Sequence, residues 1–444
     1  MNKQLLQSAY SAWSAAEPLR ARRERYKKYT YGDQWSDIIP DSRGRKRSEY
    51  DTIVRSGGKP LTNNLIRQLV KTIVGRFRAI SEEKGLYADS RISTLAAENE
   101  LPELDSRLLE EFLISGCAVQ RVSSETRYGT EGVWVDNVDI RKFFVNRFLD
   151  PRGRDIDMLG MLHELSFPEI ASRFGGGDTR RIESLRKLFA TLEHDGAFAG
   201  ESIGEPSGNP AFFCSSRAGR FRVVELWTLD SAEKRNGKRT DFTFRWHCRW
   251  LAADGTLLGE YDSPYAHGSH PFVLRFYPLT DGEVHSFVED VVEQQRCINR
   301  LIVLIDRVLS SSAKGVLLFP RNQMVDNFSW EDITERWASA DGVIPISGLG
   351  QHLPQQVATT NADTGAYKLL ELQMKLFENI SGVGDALSGR AGVNAKGAEM
   401  YNTQVENATI ALADIFSTFT AFTQARNSKA CASITRGECV RDMP

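Results

Sequence analysis

The sequence predicts an α+β fold built from more than one structural region. Three observations carry this. Apolar residues recur at 3.6-residue spacing through long stretches, most clearly at 60–80 and 283–313. Other runs alternate apolar and polar positions, as half-buried strands do, notably between 221 and 277. A chain of 444 residues also exceeds one small core, so two or three regions are expected.

Residues 1–30 read as a helix rich in Ala, Arg and Lys, with a basic cluster at Arg20, Arg22, Arg23, Arg25, Lys27 and Lys28. A solvated face and a functional patch are both open readings of that cluster. YTYGDQW (29–35) follows, and then DSRGRKRSEYDTIVRSGGKP (41–60), whose Arg, Ser and Gly content reads as a mobile loop. PLTNNLIRQLVKTIVGRFRAI (60–80) is predicted helical, capped by Thr62 or Asn63. Leu61, Leu65, Ile66, Leu69, Val70, Ile73, Val74 and Phe77 form its apolar face, opposite Arg67, Lys71 and Arg78. LPELDSRLLEEFLISG (101–116) is a second helix; CAVQRVSS, GVWVDNVDI and KFFVNRF read as strands. FPEIASRF and TRRIESLRKLFATLEH look helical, and the Gly, Ser and Pro of 194–211 read as a loop. FRVVELWTLD, TDFTFRWHCRWLA and HPFVLRFYPL return to the strand pattern, with Trp246 and Trp250 at alternating positions.

The segment 283–313 is predicted to be one helix about 45 Å long. Val288, Val291, Val292, Ile298, Leu301, Ile302 and Ile305 are among its apolar face, and Glu289, Glu293, Arg296, Arg300 and Arg307 form a polar stripe. A helix of that length suits packing against copies of itself. KGVLLFPRNQM and DGVIPISGLG then flank SWEDITERWASA in a small α/β insertion, 314–361. A helix at 362–382, a Gly-rich flexible stretch at 383–397 and a long helix at 398–427 complete the order.

Composition excludes several classes. A formal net charge of -2, with 26% charged residues, does not suit a generally basic nucleic-acid coat. The six cysteines are scattered without CxxC spacing, which favours reduced thiols and speaks against a zinc or redox motif. His267 and His270 in AHGSH lack partners for a metal site, and His247 beside Cys248 reads as core. There is no GxxxxGK[ST] and no GxSxG. Glu331 and Asp332 read as surface positions. The sequence therefore offers no catalytic residue, no metal site and no cofactor. The N-terminus lacks the apolar core of a signal peptide, and LIVLI (301–305) is far short of a membrane span, so a protein made in the cytoplasm is expected.

YTYGDQW at 29–35, LTNNLIRQLVKTIVGR at 61–76, HPFVLRFYPLTDGE before LIVLIDRVLSSSAKGVLLFP, and FENISGVGDALSGRAGVNAKGAEMYNTQ stand in a definite order. That order resembles the portal (head-tail connector) family of tailed bacteriophages, over most of 25–425. The resemblance implies a portal-like α+β fold with wing, long-helix stem, small α/β clip and a short or absent crown. Residues 1–282 correspond to the N-terminal part of the wing, 283–313 to the first stem helix, 314–361 to the clip and 362–382 to the second stem helix. Residues 383–397 correspond to a tunnel loop, 398–427 to a tunnel or wing helix and 428–444 to a short tail.

By this resemblance the protein is a non-enzymatic homo-oligomer, a ring of about twelve with cyclic head-to-tail contacts. It would sit at one capsid vertex of the virion and pass double-stranded DNA during packaging and ejection. Its partners would be the large terminase, a head-completion (neck) adaptor and the major capsid protein, with no membrane. A channel must hold a polyanion without gripping it, which a nearly neutral chain allows. Arg390, Asn394 and Lys396 in the tunnel loop are the first candidates to meet DNA. Arg296, Arg300 and Arg307 on the stem are next, with salt bridging to Glu289 and Glu293 of neighbouring copies as the alternative. Another capsid-associated scaffold or adaptor, and a DNA-processing enzyme, are the competing functions; the enzyme would need a P-loop or clustered carboxylates.

Overall fold

The structure is a computed structural model. It describes residues 2–40, 44–127, 129–146, 148–194, 210–215, 217–236, 239–265, 267–277, 279–312, 316–320, 324–325, 328–338, 344–346, 355–357, 363–383 and 410–435. In chain order the elements are α1 (Asn2–Ala15), α2 (Glu17–Tyr31), β1 (Ile38–Pro40), β2 (Lys46–Ser48), α3 (Glu49–Arg55), α4 (Leu65–Glu83), α5 (Ser90–Glu98) and α6 (Leu101–Ser115). Then come β3 (Cys117–Arg127), β4 (Thr130–Asn137), β5 (Phe143–Val145), β6 (Met158–Ser166), α7 (Phe167–Phe174), α8 (Thr179–His194), α9 (Pro210–Phe213), β7 (Arg220–Asn236), β8 (Arg239–Ala252) and β9 (Leu257–Asp262). The order ends with β10 (Phe272–Phe276), β11 (Leu279–Thr280), β12 (Glu283–Val284), α10 (Phe287–Ser312), β13 (Val316–Leu318), α11 (Trp330–Ala338), β14 (Gln355–Val357), α12 (Asp363–Ser381) and α13 (Ala413–Thr435). The fold is mixed helix and sheet, and the chain divides into two compact units.

The first unit comprises 1–30, 68–289 and 385–444. Its centre is an antiparallel five-stranded sheet in the order β5-β6-β7-β8-β9, accompanied by a three-stranded sheet β10-β3-β4. The strand β7 carries buried apolar side chains on both faces because both are covered. Val223 and Trp227 share one core with Trp250 and with Ile170, Phe174, Leu185 and Phe189 of α7 and α8. Val224 and Leu226 share the other with Leu6, Tyr10 and Trp13 of α1 and Phe212 and Phe213 of α9. Phe77, Phe112 and Phe419 join α4, α6 and α13 through edge-on and tilted ring contacts. Gly116 ends α6 at φ +73, and a Cβ there would lie 2.1 Å from the His285 carbonyl oxygen, so only glycine fits.

The second unit comprises 31–67 and 290–384. It contains the β1-β2 hairpin, α3, most of α10, the antiparallel pair β13-β14, α11 and α12.

Several expectations are corrected. The long helix starts at Phe287, not 283, because Ser286 and Glu289 form a reciprocal cap: Glu289 N donates to Ser286 Oγ at 3.1 Å, and Ser286 N to Glu289 Oε2 at 3.2 Å. Residues 283–284 instead pair with 279–280 around Asp281 and Gly282, both at positive φ. The stretch 41–60, expected as a loop, holds β2 and α3; Ser48 caps α3 by accepting from Asp51 N, and Asp51 favours the first turn. The N-terminal helix is two helices, with Pro18 in the first turn of the second. The last helix runs to Thr435, so 428–435 are helical rather than tail, with Ala430 fully buried; 398–409 lie outside the described residues.

Candidate functional site

Among the buried apolar residues of α10 stand two polar ones, Gln295 and Asn299, one helical turn apart and essentially without solvent exposure. Polar groups at such depth need partners, and here they are backbone groups of the motif at 61–76. Gln295 Nε2 donates to the Asn63 carbonyl at 2.7 Å and to Asn299 Oδ1 at 3.0 Å. Gln295 Oε1 accepts from Leu65 N at 2.9 Å and from Ile66 N at 3.3 Å. Those amides belong to the first turn of α4, where no intrahelical acceptor exists.

Asn299 Oδ1 accepts from Asn63 N at 3.3 Å, and Asn299 Nδ2 donates to Gln34 Oε1. Gln34 Nε2 donates to Asn64 Oδ1 at 3.1 Å, and the same oxygen accepts from Arg67 N at 3.0 Å. The side-chain cap of α4 is therefore Asn64, rather than Thr62 or Asn63. Thr62 is used otherwise, accepting from Trp35 Nε1 at 2.9 Å. The GDQW and LTNN segments that carried the family resemblance thus make one buried hydrogen-bond network with the long helix. Gly32 at φ +99 turns the chain out of α2 and into this network.

The polar stripe of α10 has an internal partner that spacing along the helix did not reveal. Glu49, buried at the start of α3, accepts from Arg296 Nε and Nη2 at 3.2 Å each and from Arg300 Nε. Arg296 also reaches Glu293 at 3.4 Å. Arg307 is exposed. Arg390, Asn394 and Lys396 lie outside the described residues. The basic cluster of α2 partly turns inward: Arg20 stacks 3.8 Å over the Trp13 ring, and Arg23 pairs with Glu111 at 2.6 Å.

Farther along the same unit, apolar side chains point outward. Leu304 and Leu309 on α10 and Tyr367, Leu369, Leu372, Met374 and Ile380 on α12 are each between 42% and 51% exposed.

In the first unit, buried charges are neutralised among themselves. Glu225 accepts from Trp227 Nε1 at 2.8 Å, lies 3.5 Å from Arg121 and is hydrogen-bonded to His163 at 2.7 Å. Burial alone would push this carboxyl up, but Arg121 and His163 outweigh it and hold Glu225 down at about 2. Burial lowers His163, so its imidazole is neutral near pH 7. Cys248, buried beside this cluster, is raised well above the ordinary thiol range by burial and then by Glu225, which suppresses its thiolate. His247 is not core: it faces outward, with Nδ1 2.8 Å from Asp262, while the next residue along the strand is buried. His270 is buried edge-on against Trp246. Asp332, read as surface, caps α11 through Ser329. Among the described residues no group of three or more His, Cys, Asp or Glu is placed to hold a metal, and no helix is long and apolar enough to cross a membrane.

No individually curated protein matches the chain. A family model described as phage P22-like portal protein matches residues 212–435, just over half of the chain. The match takes in β7 to β10, the long helix α10 with its buried Gln295 and Asn299, the small α/β segment, α12 and α13. The chain belongs to the phage P22-like portal protein family.

Proposed function

We propose that this protein is the subunit of a ring-shaped channel at one capsid vertex, through which double-stranded DNA is packaged and ejected. The open apolar side chains of α10 and α12 carry this reading: Leu304 and Leu309 on one long helix, and Leu369, Leu372 and Ile380 along one side of the other, are surface that copies of themselves would bury. A closed ring of about twelve subunits, with head-to-tail contacts, uses such a face without leaving ends. In this reading α10 and α12 are the stem, 314–361 the clip that docks the terminase motor and later the neck adaptor, and 383–397 the tunnel loop. The first unit supplies the wing facing the capsid shell, and the crown is short or absent.

No chemistry of bond making is assigned to the chain. Its task toward DNA is sparse, sequence-independent contact with phosphates. Arg390, Asn394 and Lys396 are proposed for that contact. Of the stem arginines, Arg307 suits it best, since Arg296 and Arg300 are engaged by Glu49.

Electron microscopy of the purified protein tests the reading. Rings with a central hole wide enough for duplex DNA are expected. Particles of monomer size at every concentration and salt would overturn it, and assemblies without such a hole would favour a scaffold or adaptor.

A further inference from the structure

The hairpin β11-β12 turns on Asp281 and Gly282, both at positive φ, 53° and 81°. An Asp-Gly pair suits so tight a turn, because both residues tolerate the left-handed region. The turn leans on the chain that follows β5: a Cβ on Gly282 would lie 3.5 Å from Leu149 Cδ2 and 3.6 Å from the Phe148 carbonyl oxygen. These two segments and the junction of α1 with α2 enclose a cleft of about 460 Å³ within the first unit. Its floor belongs to the core: Cys117, Phe143 and Phe276 are at most 5% exposed. On the junction side the short side chains of Ala15 and Ala16 leave the space open. The volume falls within the roughly 300–1,000 Å³ of pockets that enclose a small molecule.

The open polar groups of the cleft are of one kind. Asp281 and Glu283 stand exposed on its lip, and among the described residues neither carboxylate meets a hydrogen-bond donor or a cation. Asn146 in the wall keeps a buried Oδ1 that accepts no hydrogen bond either. All three are acceptors. The cation of the described lining, Arg22, is already turned to the Val284 carbonyl at 3.1 Å. Two open carboxylates against one engaged guanidinium leave the mouth net negative over an apolar floor. Such a mouth repels anions, and a neutral apolar ligand gains nothing from the lip. An apolar body that carries an ammonium group matches both parts: the body displaces water from the floor, and the N–H groups meet the acceptors.

We propose that this cleft is a binding site for a small organic amine, its aromatic or branched aliphatic body against Phe143 and Phe276 and its ammonium group at the carboxylates of Asp281 and Glu283. Burial of the body supplies the affinity. The ion pairs at the exposed lip supply the preference for a cation, so that preference weakens as salt is added. The site lies wholly in the first unit and does not rest on the ring reading.

Calorimetric titration of the full-length chain with tryptamine, with its neutral analogue tryptophol and with the anion indole-3-propionate tests this. Tryptamine is expected to bind at least about tenfold more tightly than tryptophol, and indole-3-propionate more weakly than either. Asp281→Asn with Glu283→Gln removes both charges, and asparagine keeps the left-handed conformation at 281. This double variant should bind tryptamine no better than tryptophol, with its affinity for tryptophol and its circular-dichroism melt unchanged. Ala15→Phe sets a ring at the mouth from an exposed position and should abolish binding of both. Equal affinity of the wild type for tryptamine and tryptophol overturns the proposal. So does wild-type affinity for tryptamine in either variant, or no tryptamine binding by the wild type at millimolar concentration.

Discussion

Arg426 and Lys429 show how single residues of the last helix hold the first unit together. Arg426, fully buried, donates from Nη1 to Asp105 Oδ1 at 2.6 Å, and Asp105 also accepts from Tyr87 and Gln120. A buried pair adds little over an apolar pair, but losing one partner strands the other charge. Arg426→Ala should therefore lose about 3–5 kcal/mol in urea unfolding. Arg426→Met with Asp105→Leu should recover only part of this, since the Tyr87 hydroxyl then lacks its acceptor, while Gln120 Nε2 keeps Asn137 Oδ1 at 2.9 Å. Lys429 Nζ donates to the carbonyls of His270 and Phe272 at 2.6 and 2.9 Å, and burial brings it down from 10.5 to about 7. Between these values the unfolded chain binds more protons than the folded one, so stability rises with pH from about 7 toward 10.5. Urea midpoints across that window should rise more steeply in the wild type than in Lys429→Met; parallel curves would remove the argument. Glu225 acts at the opposite end: its contribution is present above the ordinary 4.5 and is lost as pH falls toward about 2.

At the scale of elements, the anchor between α10 and the start of α4 matters most. Gln295 satisfies two amides and one carbonyl that have no helical partner. Gln295→Leu keeps an apolar body of similar size and takes the acceptor from the Ile66 amide, while Leu65 N still donates to the Asn63 carbonyl at 3.0 Å, so about 1–3 kcal/mol is expected for the one amide left dry. Faster hydrogen exchange at the Ile66 amide is the expected readout, and unchanged protection would show that the network does not hold this end of the helix. The helices themselves were legible: 101–116 and 362–382 match α6 and α12 to within a residue or so, because their apolar period is long and strong. Element ends were less so. The Ser286–Glu289 cap is written in the sequence as S-x-x-E, yet the apolar pattern upstream blurs it. Ser48 before Glu49 is a similar signal, hidden in a stretch whose Arg, Ser and Gly content reads as loop.

At the scale of the whole molecule, assembly is the property to test. Leu372 and Met374 are exposed on α12, so Leu372→Asp with Met374→Asp should leave the isolated chain within about 0.5 kcal/mol of the wild type. Light scattering should then show the variant failing to form the large species. The two positions lie on opposite sides of α12, so normal assembly by this variant would mean that neither side is buried between copies at this level of the helix.

The order of helices, strands and the small α/β segment was determined by periodicity alone, because local spacing encodes which faces are buried. The family was legible for the same reason: its motifs are packing patterns spread along the chain. Tertiary structure alone decided what those motifs do. No spacing along α10 shows that Gln295 and Asn299 meet Asn63 and Gln34, or that Arg296 and Arg300 share Glu49, since these partners lie more than two hundred residues away in sequence. Hydrogen bonds between distant segments depend on where the backbone brings them, and that is a property of the folded chain.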